Sequence, residues 1–232
     1  DSAGTSTAIH SGIKTKSGII GLTDSSVRGD CMSKRTEVDR ISDIFKKLDK
    51  SVGVVTNTRI THATPAELYA HSFDRNWEDE SKVPKNCKQD DIALQLINSD
   101  IDLALGGGKR HFLPLRNVDE KGKRTDSRNL IEEFKNSGGI YLNNEKDFKN
   151  YKIDTKKRLI GLFADSHFPY LAKERNKPSL LDLANLAIEY LNKNKNGYYL
   201  LIEAGRIDHG HHAGKLNYVL RQTQQFNKLI QN

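Results

Sequence analysis

The segment Glu203-Ala204-Gly205-Arg206-Ile207-Asp208-His209-Gly210-His211-His212 decides how the chain is read. It places two carboxylates and three imidazoles within ten residues. Just before it, Gly197-Tyr198-Tyr199-Leu200-Leu201-Ile202 is apolar behind a glycine, the pattern of a short buried strand. Open α/β sheets collect their chemistry at the carboxyl ends of strands, where Glu203 stands. A helix after Gly205 would set Asp208 and His212 on one face at i and i+4, close enough to hold one metal ion. Imidazole nitrogen with carboxylate oxygen suits zinc. Glu203 lies at the strand end and is expected to face a different ion, where an all-oxygen site would suit magnesium. The plain alternative is a solvated, histidine-rich turn.

Outward from this segment, composition sets the limits. The 232 residues are 36% apolar and 29% charged, with a net charge of +7. That is enough for one large domain or two small ones. A basic balance attracts anionic partners. The lysines are scattered, however, and no stretch interleaves basic residues with repeated aromatics, so nucleic acid is not the expected partner. No apolar run approaches the ~20 residues of a membrane span. The two cysteines, Cys31 and Cys87, are too few for a zinc knuckle; one disulfide and two buried thiols both remain open.

Hydrophobic periodicity gives the order of elements. Helices are expected over Ser2 to Ile13, Thr36 to Leu48 with Thr36 as cap, from Pro65 through Leu68, Tyr69 and Ser72, and over Gln89 to Ile97. Further helices are expected over Arg128 to Phe134, Leu180 to Leu191 and Leu216 to Ile230. Strands are expected over Ser51 to Thr58, Ile101 to Leu105, Ile140 to Leu142, Leu159 to Phe163 and Tyr198 to Ile202. Strands separated by helices predict an α/β fold with a mostly parallel central sheet and helices on both faces. The charged stretch from Lys109 to Lys157 reads as a surface excursion from one domain spanning residues 1–232.

Other motifs carry chemistry only in combination. Ser2 at a helix amino end sits where backbone N–H groups and the helix dipole welcome an anion, but a serine needs activation to attack. His62-Ala63-Thr64 follows a buried strand, so the Thr64 hydroxyl is a candidate hard ligand with His62 beside it. Arg75 offers a fork for phosphate, against the plainer reading of a surface ion pair. Gly106-Gly107-Gly108 lacks the first glycine and the Lys-Ser/Thr ending of a phosphate loop and reads as a tight strand exit.

Taken together, these pieces resemble an alkaline phosphatase of the animal type. The resemblance runs from Asp1-Ser2-Ala3-Gly4-Thr5 through Arg59-Ile60-Thr61-His62-Ala63-Thr64-Pro65-Ala66, Tyr69-Ala70-His71, Asp74-Arg75-Asn76-Trp77 and Ile101 to Gly108, ending with Glu203 to His212. It implies Ser2 as the nucleophile of a phosphoserine intermediate and Arg75 as the phosphate clamp. It implies Thr64 and Glu203 as magnesium ligands with His62 nearby, Asp208 and His212 as ligands of a first zinc, and His209 near the phosphate. Ser2 would also approach the metals. Cys31 and Cys87 match a disulfide pair, which implies an oxidising, secreted setting.

The same resemblance implies phosphate monoester substrates, a homodimer, and an extracellular enzyme that is secreted or lipid-anchored through a signal outside this stretch. It also calls for an aspartate before the serine, a later Asp-His pair for a second zinc, and a further histidine for the first. None of these lies in the 232 residues. The expectation is therefore an internal fragment that does not turn over alone. Ala164 and Lys177 stand where many relatives carry acidic calcium ligands, so calcium is not expected there. Rival readings are a related phosphodiesterase or sulfatase, and a non-catalytic surface protein that kept the fold.

Overall fold

Five parallel strands in the order β3-β4-β2-β1-β5 form the centre of the molecule. They are β1 (Ser51–Arg59), β2 (Leu103–Gly107), β3 (Ile140–Leu142), β4 (Leu159–Leu162) and β5 (Tyr198–Glu203). This computed structural model describes residues 1–115, 122–170 and 177–231. The helices are α1 (Ser2–Ser11), α2 (Ile41–Lys47), α3 (Ala63–Ala66), α4 (Ile92–Asn98), α5 (Leu130–Asn136), α6 (Glu145–Asn150), α7 (Leu180–Leu191), α8 (Arg206–His212) and α9 (Leu216–Gln231).

Both faces of the sheet are covered, so its strands are apolar on both sides rather than alternating. Val52, Val54, Ala104, Ile160 and Leu201 face one core with residues of α1, α3, α4 and α5. Val55, Leu103, Leu105, Leu159 and Leu200 face the other, against α7 and α9. The α/β expectation of a parallel sheet between helix layers is met.

Several element bounds differ from the sequence reading for tertiary reasons. The helix expected from Thr36 starts only at Ile41, with Arg40 as its cap and the Asp43 carboxylate accepting the Arg40 backbone N–H at 2.9 Å. Residues ahead of it are extended, because the Thr36 carbonyl accepts from Thr23 and the Val38 N–H donates to Gly21. Likewise α3 is a single turn in which Pro65 is the third residue, not the first. Leu68, Tyr69 and Ser72 lie beyond it, and the Tyr69 hydroxyl instead donates to the Ile60 carbonyl at 2.7 Å.

The stretch from Lys109 to Lys157 is not only a surface excursion. Its described part supplies edge strand β3, and Phe112, Leu130, Phe134 and Leu142 are buried in the two cores. Residues 116–121 lie outside the described chain. One of its charges is turned inward: buried Arg124 donates to Asp91 at 3.1 and 3.0 Å and to Asp126 at 3.1 and 2.6 Å. Buried charges of this kind must be paired and hydrogen-bonded, and charge content alone cannot tell them from solvated ones.

Cys31 and Cys87 form the disulfide that the resemblance implied, with their Cα atoms 5.6 Å apart. It packs against a satellite core of Ile19, Leu22, Phe73 and Trp77. The bridge closes a separation of 56 residues. Chain-entropy reasoning gives a loop of that size about 4 kcal/mol. Urea unfolding of the Cys31→Ala/Cys87→Ala double variant should show a loss of that order.

Candidate active site at the carboxyl edge of the sheet

Parallel pairing brings the ends of β1, β2, β4 and β5 to one edge, and the site is assembled there. The pairing of β1 with β5 sets Thr56 opposite Glu203. Thr56 and Thr58, two apart on one face of β1, both donate to Glu203 Oε2, at 2.5 and 2.9 Å. Thr64, in the turn after β1, adds a third hydroxyl to the same carboxyl. Burial pushes the Glu203 carboxyl up from its usual range, and the three threonines oppose that shift. Gly205 allows the chain to leave the strand here, since a Cβ at that position would lie 2.4 Å from Thr58 Cγ2.

Ser2 opens α1. Its cap, Asp1, accepts from Gly4 N–H at 3.0 Å and from Gly18 N–H at 2.8 Å. Arg75 lies across this end. Its NH1 donates to Ser2 Oγ at 2.8 Å and to Asp1 Oδ1 at 2.9 Å, and its NH2 meets His62 Nε2 at 2.9 Å. The chain that positions Arg75 is fixed by its own N–H, which donates to the Gly18 carbonyl at 2.8 Å. Ser2, Arg75, His62, Thr64 and Glu203, distant in sequence, thus form two linked groups at one end of the sheet.

His62 also belongs to a cluster of imidazoles with His167 and His209, whose candidate ligand atoms lie within 4.8 Å of one another. Each ring faces an arginine: Arg75 at His62, Arg59 at His167, and Arg206 at His209 Nδ1, the last at 2.7 Å. An arginine only donates, so the nitrogen it faces on His62 and on His209 must carry the lone pair, and those two rings are neutral. On His167 both ring nitrogens face Arg59, its backbone N–H at Nδ1 and its guanidinium at Nε2, and only one of them can accept. The pKa directions agree. Burial first and Arg75 second push His62 down to about 3. Burial and Arg59 lower His167, and burial and Arg206 lower His209. Arg59 is itself clamped by the Glu78 carboxylate, with Nε at 2.7 Å and NH2 at 2.7 Å.

Asp208 and His212 come together on α8 as the i, i+4 spacing predicts, with His212 Nε2 3.6 Å from Asp208 Oδ1. Both are exposed, and they pair with each other. Among the described residues, the grouping of three potential metal donors is His62, His167 and His209, not a set containing Asp208. Ala164, in the turn after β4, offers only its carbonyl, which accepts from Gly108 and Lys109. The Gly106–Gly108 stretch is indeed a strand exit: a Cβ at Gly107 would fall 2.1 Å from the Ser166 carbonyl oxygen, and Gly108 has φ +94.

His167, Arg59, Glu78 and Arg206 were not singled out from sequence. A signal for His167 existed, since it follows the end of β4 just as His62 follows β1. Thr56 and Thr58 were legible as a same-face pair at a strand end.

The comparisons with known proteins fit this geometry. The family profile described as alkaline phosphatase matches residues 1–232. The chain belongs to the alkaline phosphatase family. It is 38% identical to an alkaline phosphatase of Gadus morhua over 253 aligned positions, covering 99% of this chain and 52% of that protein. It is 35% identical to the tissue-nonspecific isozyme of Homo sapiens, covering 99% of this chain and 48% of that one. Among solved structures, the alkaline phosphatase of the Antarctic bacterium TAB5 superposes with TM-score 0.80 at 29% identity, over 99% of this chain and 58% of its own. That of Thermus thermophilus gives 0.82 at 28%, over 100% and 43%. The chain therefore spans about half the length of the curated alkaline phosphatases it matches.

Arg75 should depress His62 measurably. In Arg75→Ala, the His62 pKa should rise from about 3 by about 1 unit, toward but not reaching the free imidazole value, because burial remains. Proton NMR titration of the histidine ring signals reads this directly.

Proposed function

We propose that the whole protein is a metal-dependent phosphate monoester hydrolase in which Ser2 is the nucleophile. The observation that carries this is the Arg75 guanidinium, which joins the Ser2 hydroxyl, at a helix amino terminus, to the imidazole of His62. A helix amino end and an arginine fork are both complementary to a phosphoryl group.

The donor set fits divalent cations. Glu203 is a half-buried carboxyl ringed by the hydroxyls of Thr56, Thr58 and Thr64, a hard-oxygen environment of the kind magnesium takes. Thr64 and Glu203 would hold that ion. Asp208 and His212 would be two ligands of a zinc, completed by groups from the rest of the protein. A mutant of the TAB5 enzyme is described with magnesium bound in its M3 site. Bound cations of this type supply charge neutralisation and lower the pKa of a coordinated hydroxyl.

The chain's own residues do the following. Arg75 NH1 and NH2 turn from Ser2 and His62 to the phosphoryl oxygens and hold them in line with Ser2 Oγ. The Oγ–P bond forms as the ester P–O bond breaks, and the alcohol leaves. Water then hydrolyses the phosphoserine. His62 and His209, kept neutral by burial and by their arginines, can accept or donate one hydrogen bond without adding charge. On this reading the 232-residue chain alone does not turn over, because Asp208 and His212 supply only two ligands of a zinc site that the rest of the protein would complete.

The disulfide supports an oxidising compartment. A relative from Bombyx mori is described as a membrane-bound alkaline phosphatase, and no described helix here is long and apolar enough to cross a membrane. On the strength of the disulfide we infer that the whole protein lies outside the cell, lipid-anchored or secreted; that it is a homodimer is a proposal that rests on the family resemblance alone.

Steady-state kinetics of the full-length enzyme test the reading. Monoesters should be turned over far faster than diesters or sulfate esters. Ser2→Ala should lower kcat by roughly three orders of magnitude or more. Arg75→Ala should weaken inhibition by inorganic phosphate roughly 10- to 100-fold, the value of a charge-assisted bond. Normal turnover in Ser2→Ala, or a preference for diesters, would overturn it.

A further inference from the structure

Glu67 follows α3 and is fully buried, yet none of its atoms belongs to the site described above. Its Oε2 lies 2.8 Å from Thr7 Oγ1, and its Oε1 is buried without a hydrogen-bond partner. Thr7 Oγ1 also lies 3.0 Å from the Ala3 carbonyl oxygen, one turn back in α1, and accepts the Gly21 N–H at 3.1 Å. A threonine hydroxyl has one proton and two lone pairs. If Glu67 were ionised, its carboxylate and the Ala3 carbonyl would compete for that single proton, and Oε1 would be left without a well-formed hydrogen bond, the nearby Gly21 N–H being held by Thr7. A proton on Oε2 resolves the conflict. Glu67 then donates to Thr7, Thr7 donates to Ala3, and Gly21 fills the second lone pair. Oε1 becomes a neutral carbonyl oxygen, far cheaper to bury than half of a charge.

The surrounding charges allow this state. Arg40, from the cap of α2, commits Nε and NH2 to Asp43 at 2.9 Å each, and its NH1 reaches only the Glu67 backbone carbonyl, at 3.5 Å. Asp43 repels a second anion. His10 on α1 and His71 are kept neutral, each lowered to about 4 by burial and then by Arg40, so neither offers Glu67 a positive partner. Glu37 faces His71 and adds no cation. Burial pushes the Glu67 carboxyl up to about 8 against the pull of Thr7, Arg40 and the Gly21 backbone N–H.

We propose that Glu67 is held as a neutral acid whose proton ties the end of α3 to the first turn of α1, making it a positioning residue for Ser2. The path runs from Glu67 through Thr7 to the carbonyl of Ala3, the residue after Ser2. When Glu67 loses its proton, the Thr7 hydroxyl must turn from Ala3 to the carboxylate, and the first turn of α1 loses that support. The consequence for Ser2 rests on its reading as nucleophile; the protonation does not.

The sign of the pH effect follows. The folded carboxyl titrates above its unfolded value, so the unfolded chain releases the proton first. The stability that Glu67 contributes is present below about pH 4.5, declines as pH rises to about 8, and is flat beyond. Glu67→Gln cannot ionise, and its amide can still donate to Thr7. Its thermal midpoint should match wild type at acid pH and exceed it by a margin that grows across that window. Amide exchange should also separate the two above about pH 8, with Gly4 and Thr5 losing protection in wild type beyond the intrinsic base effect and keeping it in the variant. A variant less stable than wild type at neutral pH, or a margin independent of pH, overturns the neutral acid. A margin without the change at Gly4 and Thr5 overturns the positioning role. If the variant does not fold, the side-chain carboxyl carbon of Glu67 in 13C-labelled wild-type protein gives the answer. A protonated shift at neutral pH supports the proposal, and a carboxylate shift there refutes it.

Discussion

The register between β1 and β5 is the constraint on which the site depends. Pairing Ser51 with Tyr198 carries through to Thr56 opposite Glu203. A slip of one residue would turn Glu203 to the other face of the sheet, because side chains alternate along a strand. The register itself is held by apolar packing on both sides, with Tyr199 and Leu201 toward one core and Tyr198, Leu200 and Ile202 toward the other. Position of the Glu203 carboxyl and packing of the sheet are thus one problem with one solution.

From that fixed point the rest of the site follows by chain direction. The strands are parallel, so every exit lies at the same edge. His62 and Thr64 leave β1, His167 leaves β4, and His209 leaves β5 through α8. Ser2 and Arg75 come from outside the sheet and are joined to it through His62. The imidazoles meet arginines rather than carboxylates, which keeps them uncharged in a positive setting. Such a setting favours an anion at the Ser2–Arg75 end, while the Glu203 carboxyl with the hydroxyls of Thr56, Thr58 and Thr64 forms a second, oxygen-rich group.

Much of this was legible in sequence because the informative residues are local. The strand before Glu203, the helical spacing of Asp208 and His212, and the turn His62-Ala63-Thr64 each carry their meaning within a few residues. What escaped depends on distant partners. Thr36 and Val38 avoid helix because they bond to the segment at 21–23. Arg124 is buried because Asp91 and Asp126 meet it, although its neighbourhood reads as charged surface. His167 becomes part of the site only because β4 ends at the same edge as β1 and β5. Glu67 looks like an ordinary exposed helix residue until the fold places Thr7 against it.

The most direct test is chemical location of the phosphate. Full-length protein mixed with a phosphate monoester, quenched in acid and digested, should yield a peptide phosphorylated on Ser2, and Ser2→Ala should yield none. Turnover of substrate with the phosphate on another residue, or with no covalent phosphate at any quench time while Ser2→Ala stays active, would contradict the role given to Ser2 and Arg75.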